Sequence, residues 1–151
     1  MQITTDDPTR ADVTRLLAEH LADMHATSPA ESVHALDVTG LLAANVTFWT
    51  ARRADELLGC AALKELAADH GEVKLMRTAP AARGAGVGAA LVARVIAEAR
   101  ARGYARLSLE TGSQDFFAPA RRLYARHGFE ECGPFGDYRL DPHSVFFTRA
   151  L

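Results

Sequence analysis

Arg83, Gly84, Gly86 and Gly88 crowd together directly ahead of a run with helical apolar spacing. The first amides of a helix have no partner inside it, and the helix dipole adds partial positive charge. Glycines let an anion approach such a backbone closely. Arg83 adds a true cation beside it. The chemistry this arrangement suits is the binding of an anion such as phosphate. A P-loop would need Lys and then Ser or Thr after the glycines, and neither follows. A dinucleotide fingerprint is met literally by Gly84, Gly86 and Ala89, with Glu110 ending the next strand. It would imply a nucleotide-dependent oxidoreductase. However, residues 79–83 separate strand from loop, and too little chain follows for a doubly wound sheet. The bland alternative is a flexible loop before an ordinary helix.

The elements that must position this loop are legible from periodicity. Residues 1–5 alternate as a short strand. Residues 7–25 follow as a helix, with Asp7 suited to cap it, Pro8 to its first turn, and Val13, Leu16, Leu17, Leu21 and Met24 at helical spacing. A break at 26–32 precedes a shorter helix within 33–46, weakened by Gly40. Residues 47–53, 56–66 and 72–78 form a strand meander joined by polar turns. Residues 86–102 then place Val87, Leu91, Val92, Val95, Ile96 and Ala99 on one helical stripe, ended by Gly103. Residues 104–110 are the next strand. Because a helix separates it from 72–78, the two strands are expected to be parallel. A helix over 119–128 and strands at 129–133 and 143–151 complete the chain. The fold class is α+β with a mixed sheet, and residues 1–151 read as a single domain.

Bulk properties narrow the function. The chain has 151 residues and a net charge of −2, with no basic excess to suggest nucleic acid. No apolar run approaches a membrane span. The N-terminus lacks the basic and apolar regions of a signal peptide. Cys60 and Cys132 form no CxxC and read as reduced thiols of a cytoplasmic protein. The histidines are scattered without HxxxH or HExxH spacing, so no metal is expected. His127 suits a helix C-terminus. The apolar strand at 144–151 presents an edge expected to pair or pack against a copy of itself, which gives a homodimer.

The pattern T-x-P-x-x-R-G-x-G-x-G, carried by Thr78, Pro80, Arg83, Gly84, Gly86 and Gly88, resembles the acyl-CoA signature of the GNAT superfamily of N-acetyltransferases. A second pattern, A-x-x-L-Y-x-x-x-G-F, carried by Ala120, Leu123, Tyr124, Gly128 and Phe129, is similar to that family's next helix. The element order agrees over nearly the whole chain. Several further segments resemble a bacterial YsnE-like branch. The resemblance implies an acyl-CoA N-acyltransferase fold, a mostly antiparallel meander with a central parallel βαβ unit. It also implies acetyl-CoA as cosubstrate. The amides of Gly84, Gly86, Val87, Gly88 and Ala89, with Arg83, would hold its pyrophosphate. The pantetheine arm would lie along Met76, Arg77 and Thr78, where the two parallel strands splay apart. Family members often carry Asn where this chain has Phe117, so that polar contact falls to Ser113 or Gln114, or to nothing.

The implied activity is acetyl transfer to a primary amine of a small molecule or protein, directly within a ternary complex. Its alternative is a non-catalytic acyl-CoA-binding module. Transfer needs a neutral amine and a protonated leaving thiol. The resemblance implies Tyr124 as the acid beside the CoA sulfur, against a purely packing role. Glu72 is the leading base, on a strand face expected to be shared with Lys74, Met76 and Thr78. Its bland reading is a surface carboxylate paired with Lys74. Glu110 is the second candidate, and a water chain the third. His25, Ser28, Glu31 and His34, in the loop between the first two helices, and Asp137 and Tyr138, in the C-terminal loop, would wall the acceptor pocket.

Overall fold

The computed structural model describes residues 1–34 and 37–151. Strands β1 (Gln2–Thr5), β2 (Val46–Arg53), β3 (Glu56–Ala67), β4 (His70–Thr78), β5 (Arg106–Gly112), β6 (Glu130–Cys132) and β7 (Ser144–Ala150) form one sheet, in the order β1-β2-β3-β4-β5-β7-β6. Among the described residues, only β4 and β5 pair in parallel. This is the mixed sheet with a central βαβ unit that the sequence predicts. No described helix is long and apolar enough to cross a membrane.

Helices α1 (Ala11–Thr27), α2 (Val38–Leu41), α3 (Val87–Ala101) and α4 (Ala118–Arg126) cover the sheet. Alternation along β3 sorts the core into two layers. Ala61 and Leu63 join the α3 stripe and Tyr124 of α4, while Cys60 and Ala62 join Val13, Leu16 and Leu41 of α1 and α2. All six α3 residues of the predicted stripe are buried. Gly103, at φ +79°, ends that helix, and the Tyr104 amide then reaches back to the Ala99 carbonyl.

Four expectations need correction. Helix α1 begins at Ala11, not beside Asp7 and Pro8. The Asp7 carboxylate instead accepts from the amide and hydroxyl of Thr9, a local turn that competes with helix capping. The second helix shrinks to one turn, capped by Asp37 on the Gly40 amide. The part of it expected at residues 35 and 36 lies outside the described residues. His25 sits exposed in the last turn of α1, not in the following loop. Strand β7 is no edge, because β5 flanks it on one side and β6 on the other. Edge-to-edge pairing of β7 with a copy of itself is therefore closed, and among the described residues the sheet edges are β1 and β6.

Candidate active site

The parallel strands pair over three positions only, His70 with Arg106, Gly71 with Leu107 and Glu72 with Ser108. Beyond Glu72 and Ser108 they part. Residues 73–78 of β4 then have a strand partner on the β3 side alone. A cleft fills the opening, lined by Glu72, Met76, Glu110, Phe117 and Tyr124 among others.

A bulge refines the expected face of β4. The β3–β4 register shifts between Ala62, opposite Leu75, and Leu63, opposite Val73, leaving Lys74 as the extra residue. Val73 therefore packs with the α3 layer and Leu75 with the α1 layer. Met76 packs on the α3 side, so Glu72, beside Val73, does not share a face with it and Thr78. Arg77 turns its buried guanidinium to α1, where Nη2 meets Asp23 Oδ2 at 2.8 Å.

The glycine loop has the geometry of an anion cradle. A 3₁₀ turn over Pro80–Ala82 leads from β4 to the loop. Gly84 and Gly86 both hold φ near +80°, a conformation L side chains rarely adopt. A Cβ built on either would meet nothing within 4 Å, so both face open space. Gly86 is the N-cap of α3 and offers no capping side chain. The first backbone bond into that helix runs from the Ala90 amide to the Gly86 carbonyl at 3.1 Å, so the amides of Val87, Gly88 and Ala89 point out of it unpaired. Arg83 is exposed at the rim. Gly88 has a different duty: a Cβ there would come within 3.0 Å of Leu123 Cδ2, so it lets α3 approach α4.

Two carboxylates stand on the α1 face of the sheet. Glu72, 3% exposed, accepts from the Tyr138 hydroxyl at 2.6 Å and lies 3.5 Å from Lys74 Nζ. Lys74 also donates to the Tyr138 oxygen at 2.7 Å. Burial, and then the charge of Glu72, push the Tyr138 phenol up, so it remains a donor. Glu110 accepts from Ser144 Oγ at 2.7 Å. Burial lifts the Glu110 carboxyl above its ordinary range, against the smaller opposing pulls of Ser144 and Lys74.

Tyr124 is 6% exposed, with its ring packed edge-on to Phe129 and tilted against Phe147. Burial raises its phenol, and the charge of Glu110 raises it further. Tyr124 and Glu110 thus lie within electrostatic reach of each other, on the same cleft.

Beside the cleft, a second cavity of about 410 Å³ opens between the loop after α1 and the C-terminal loop. Glu31, His34, Asp137 and Tyr138 line it, and Ser28, His34 and Tyr138 line the cleft. His25 lines neither. Ser32 Oγ donates to Asp141 Oδ2 at 2.6 Å, which ties the two loops together. His34 stacks edge-on to Tyr138. Ser113 and Gln114 are taken up by the C-terminal loop, at the Pro142 carbonyl and His143 Nδ1.

His20 also lines the cleft, and sequence reasoning missed it. Burial, and then the nearby Arg77 charge, lower its imidazole to about 4. Its helical spacing from Leu16, Leu17 and Met24 of the apolar stripe was the available signal. Cys60 is buried and its thiol pushed up to about 12, so it is inert at neutral pH.

The profile of the acetyltransferase (GNAT) family matches residues 12–129. The uncharacterized N-acetyltransferase YsnE of Bacillus subtilis (strain 168) is 50% identical over 151 residues, covering 100% of both chains. Among solved structures, a candidate acyl-CoA N-acyltransferase from Klebsiella pneumoniae superposes with a TM-score of 0.81 at 30% identity, covering 99% of this chain and 97% of the other. A GNAT family acetyltransferase from Elizabethkingia anophelis, solved with acetyl-CoA bound, shares the fold with a TM-score of 0.71 at 18% identity, over 99% of this chain and 97% of that one. Sheet, parting strands and glycine loop therefore have one common explanation: the chain belongs to the GNAT family of acetyltransferases.

Proposed function

We propose that the protein transfers acetyl from acetyl-CoA to a primary amine of a small molecule or a protein, by direct attack within a ternary complex. The observation that carries this reading is the parting of β4 and β5 after Glu72 and Ser108, with Glu110 and Tyr124 on the opened cleft. The unpaired amides of Gly84, Gly86, Val87, Gly88 and Ala89 suit a pyrophosphate, and Arg83 adds charge. The free edge of β4 at Met76, Arg77 and Thr78 suits amide groups of a pantetheine arm, as an added strand would. The thioester supplies an activated carbonyl and a thiolate leaving group.

Glu110 is the base of this scheme. Its raised proton affinity brings it nearer neutral pH, where a general base works best. Glu72 is engaged by Tyr138 and Lys74, and serves to hold the acceptor wall. As the C–N bond forms and the C–S bond breaks, the amine proton passes to Glu110 and the Tyr124 proton to sulfur. Solvent then resets both groups. Ser28, Glu31, His34, Asp137 and Tyr138 wall the acceptor side. A non-catalytic binder would need neither acid nor base, and burying the Glu110 carboxylate without use is costly.

The test is acetyl-CoA-dependent CoA release over a panel of amines, with thermal shift alongside. Acetyl-CoA should stabilise the fold and NAD should not. Stabilisation by acetyl-CoA without release on any amine would leave the binding module as the reading.

A further inference from the structure

We infer that the acceptor is a small amino-carboxylate, its amine at Glu110 and its carboxylate at Lys64 and Lys74. This rests on the acetyl-transfer reading above and names the substrate class for the same site. The 410 Å³ cavity beside the cleft is of a size for a small molecule, and Glu72, Lys74, His34 and Tyr138 line both spaces. Its floor is the sheet. Lys64 of β3 stands directly opposite Glu72 of β4, and Glu72 opposite Ser108 of β5.

The charges on that floor are unequally committed. Glu72 is held by Tyr138 and Lys74, and Asp141 by Ser32 and the His143 amide. Lys64 takes part in none of the ion pairs among the described residues. Lys74 directs its ammonium at Tyr138 and Glu72, and an ammonium has a third donor to give. The floor therefore retains cationic capacity. The carboxylates without partners, Glu31 and Asp137, are exposed at the rim with Arg139. A lining of both signs fits a molecule of both signs. A polyamine would leave Lys64 facing like charge.

The spacing also fits. Lys64, Glu72 and Ser108 form one row across three strands, and Glu110 lies two residues further along β5. Strand spacing and rise place the Lys64 and Glu110 Cα atoms at least about 12 Å apart on one face. Lys64 lines the cavity, Glu110 the cleft and Lys74 both, so a molecule held between them spans the two adjoining spaces.

The experiment measures kcat/KM for CoA release with free L-amino acids, each beside its carboxamide, and with polyamines. The free acids should be preferred by about tenfold or more over their carboxamides. Lys64→Met, which keeps the aliphatic stem, should cut that preference about tenfold. Lys64→Arg should preserve it. Equal or better turnover of carboxamides or polyamines, or a preference unmoved by Lys64→Met, would overturn the inference and leave acetyl transfer standing. If no amine supports release, the acetyl-transfer reading falls and this inference with it.

Discussion

The Tyr138 hydroxyl donates a 2.6 Å hydrogen bond to Glu72 Oε2 and so fastens the C-terminal loop to the first residues of β4, at its parallel pairing with β5. Tyr138→Phe keeps the ring, which packs on His34, Phe135 and Phe146, and removes this link together with the Lys74 hydrogen bond to the same oxygen. A buried carboxylate losing a donor costs about 1–3 kcal/mol. The melting temperature should fall by several degrees, and amide exchange should quicken across residues 133–143. An unchanged exchange pattern would show that the loop is held by other contacts.

Gly86 separates backbone strain from charge. Its φ of +80° is tolerated by Asn and Asp better than by other side chains, and a Cβ there meets open space. Gly86→Asn and Gly86→Asp should fold alike. Acetyl-CoA affinity should fall far more for Asp, whose charge would face the pyrophosphate. Equal affinities in the two variants, measured by calorimetry, would place the anion elsewhere.

Glu110 and Glu72 should behave differently on neutralisation. With Glu110 as base, kcat/KM should rise with pH through a limb whose midpoint lies above the ordinary 4.5. Glu110→Gln should abolish that limb and most of the rate, while Glu72→Gln should act mainly on acceptor KM. The stability sign is opposite to that of the rate. A carboxyl that binds its proton more tightly when folded stabilises the protein below 4.5, and that stability is lost as pH rises through the raised value. Glu110→Gln should therefore not lower the melting temperature at neutral pH. A wild-type pH–rate profile in Glu110→Gln would remove it as the base.

His20 should set part of the acid limit of stability. Its imidazole, lowered from 6.5 to about 4, binds its proton less tightly folded than unfolded. The stability it contributes is full above 6.5 and is lost as pH falls toward 4, on the order of 3 kcal/mol in all. His20→Gln should flatten the melting temperature between those values. An equally steep fall in the variant would assign the limit to other groups.

Much of this fold was legible in the sequence because local pattern and tertiary packing agree. The α3 stripe, its glycine ends and the helix between β4 and β5 specify the parallel pair and the loop. What stayed hidden depends on distant partners. The one-residue bulge at Lys74 leaves no mark in the alternation of residues 72–78, yet it separates the face of Glu72 from that of Met76. Nothing near Tyr138 in sequence announces that it reaches β4. Strand β7 reads as an edge until the short β6 is seen to pair beyond it. Asp7 carries a capping signal, but Thr9 takes its oxygen first.

Proton transfer at Tyr124 is read out by kcat of Tyr124→Phe under conditions where chemistry limits the rate. The ring contacts with Phe129 and Phe147 remain, so the melting temperature and acetyl-CoA affinity should stay near wild type. If the hydroxyl protonates the thiolate, kcat falls about 10²–10⁴-fold, the range for losing a positioned acid. A Tyr124→Phe enzyme that turns over at the wild-type rate would contradict it and leave Tyr124 as a packing residue.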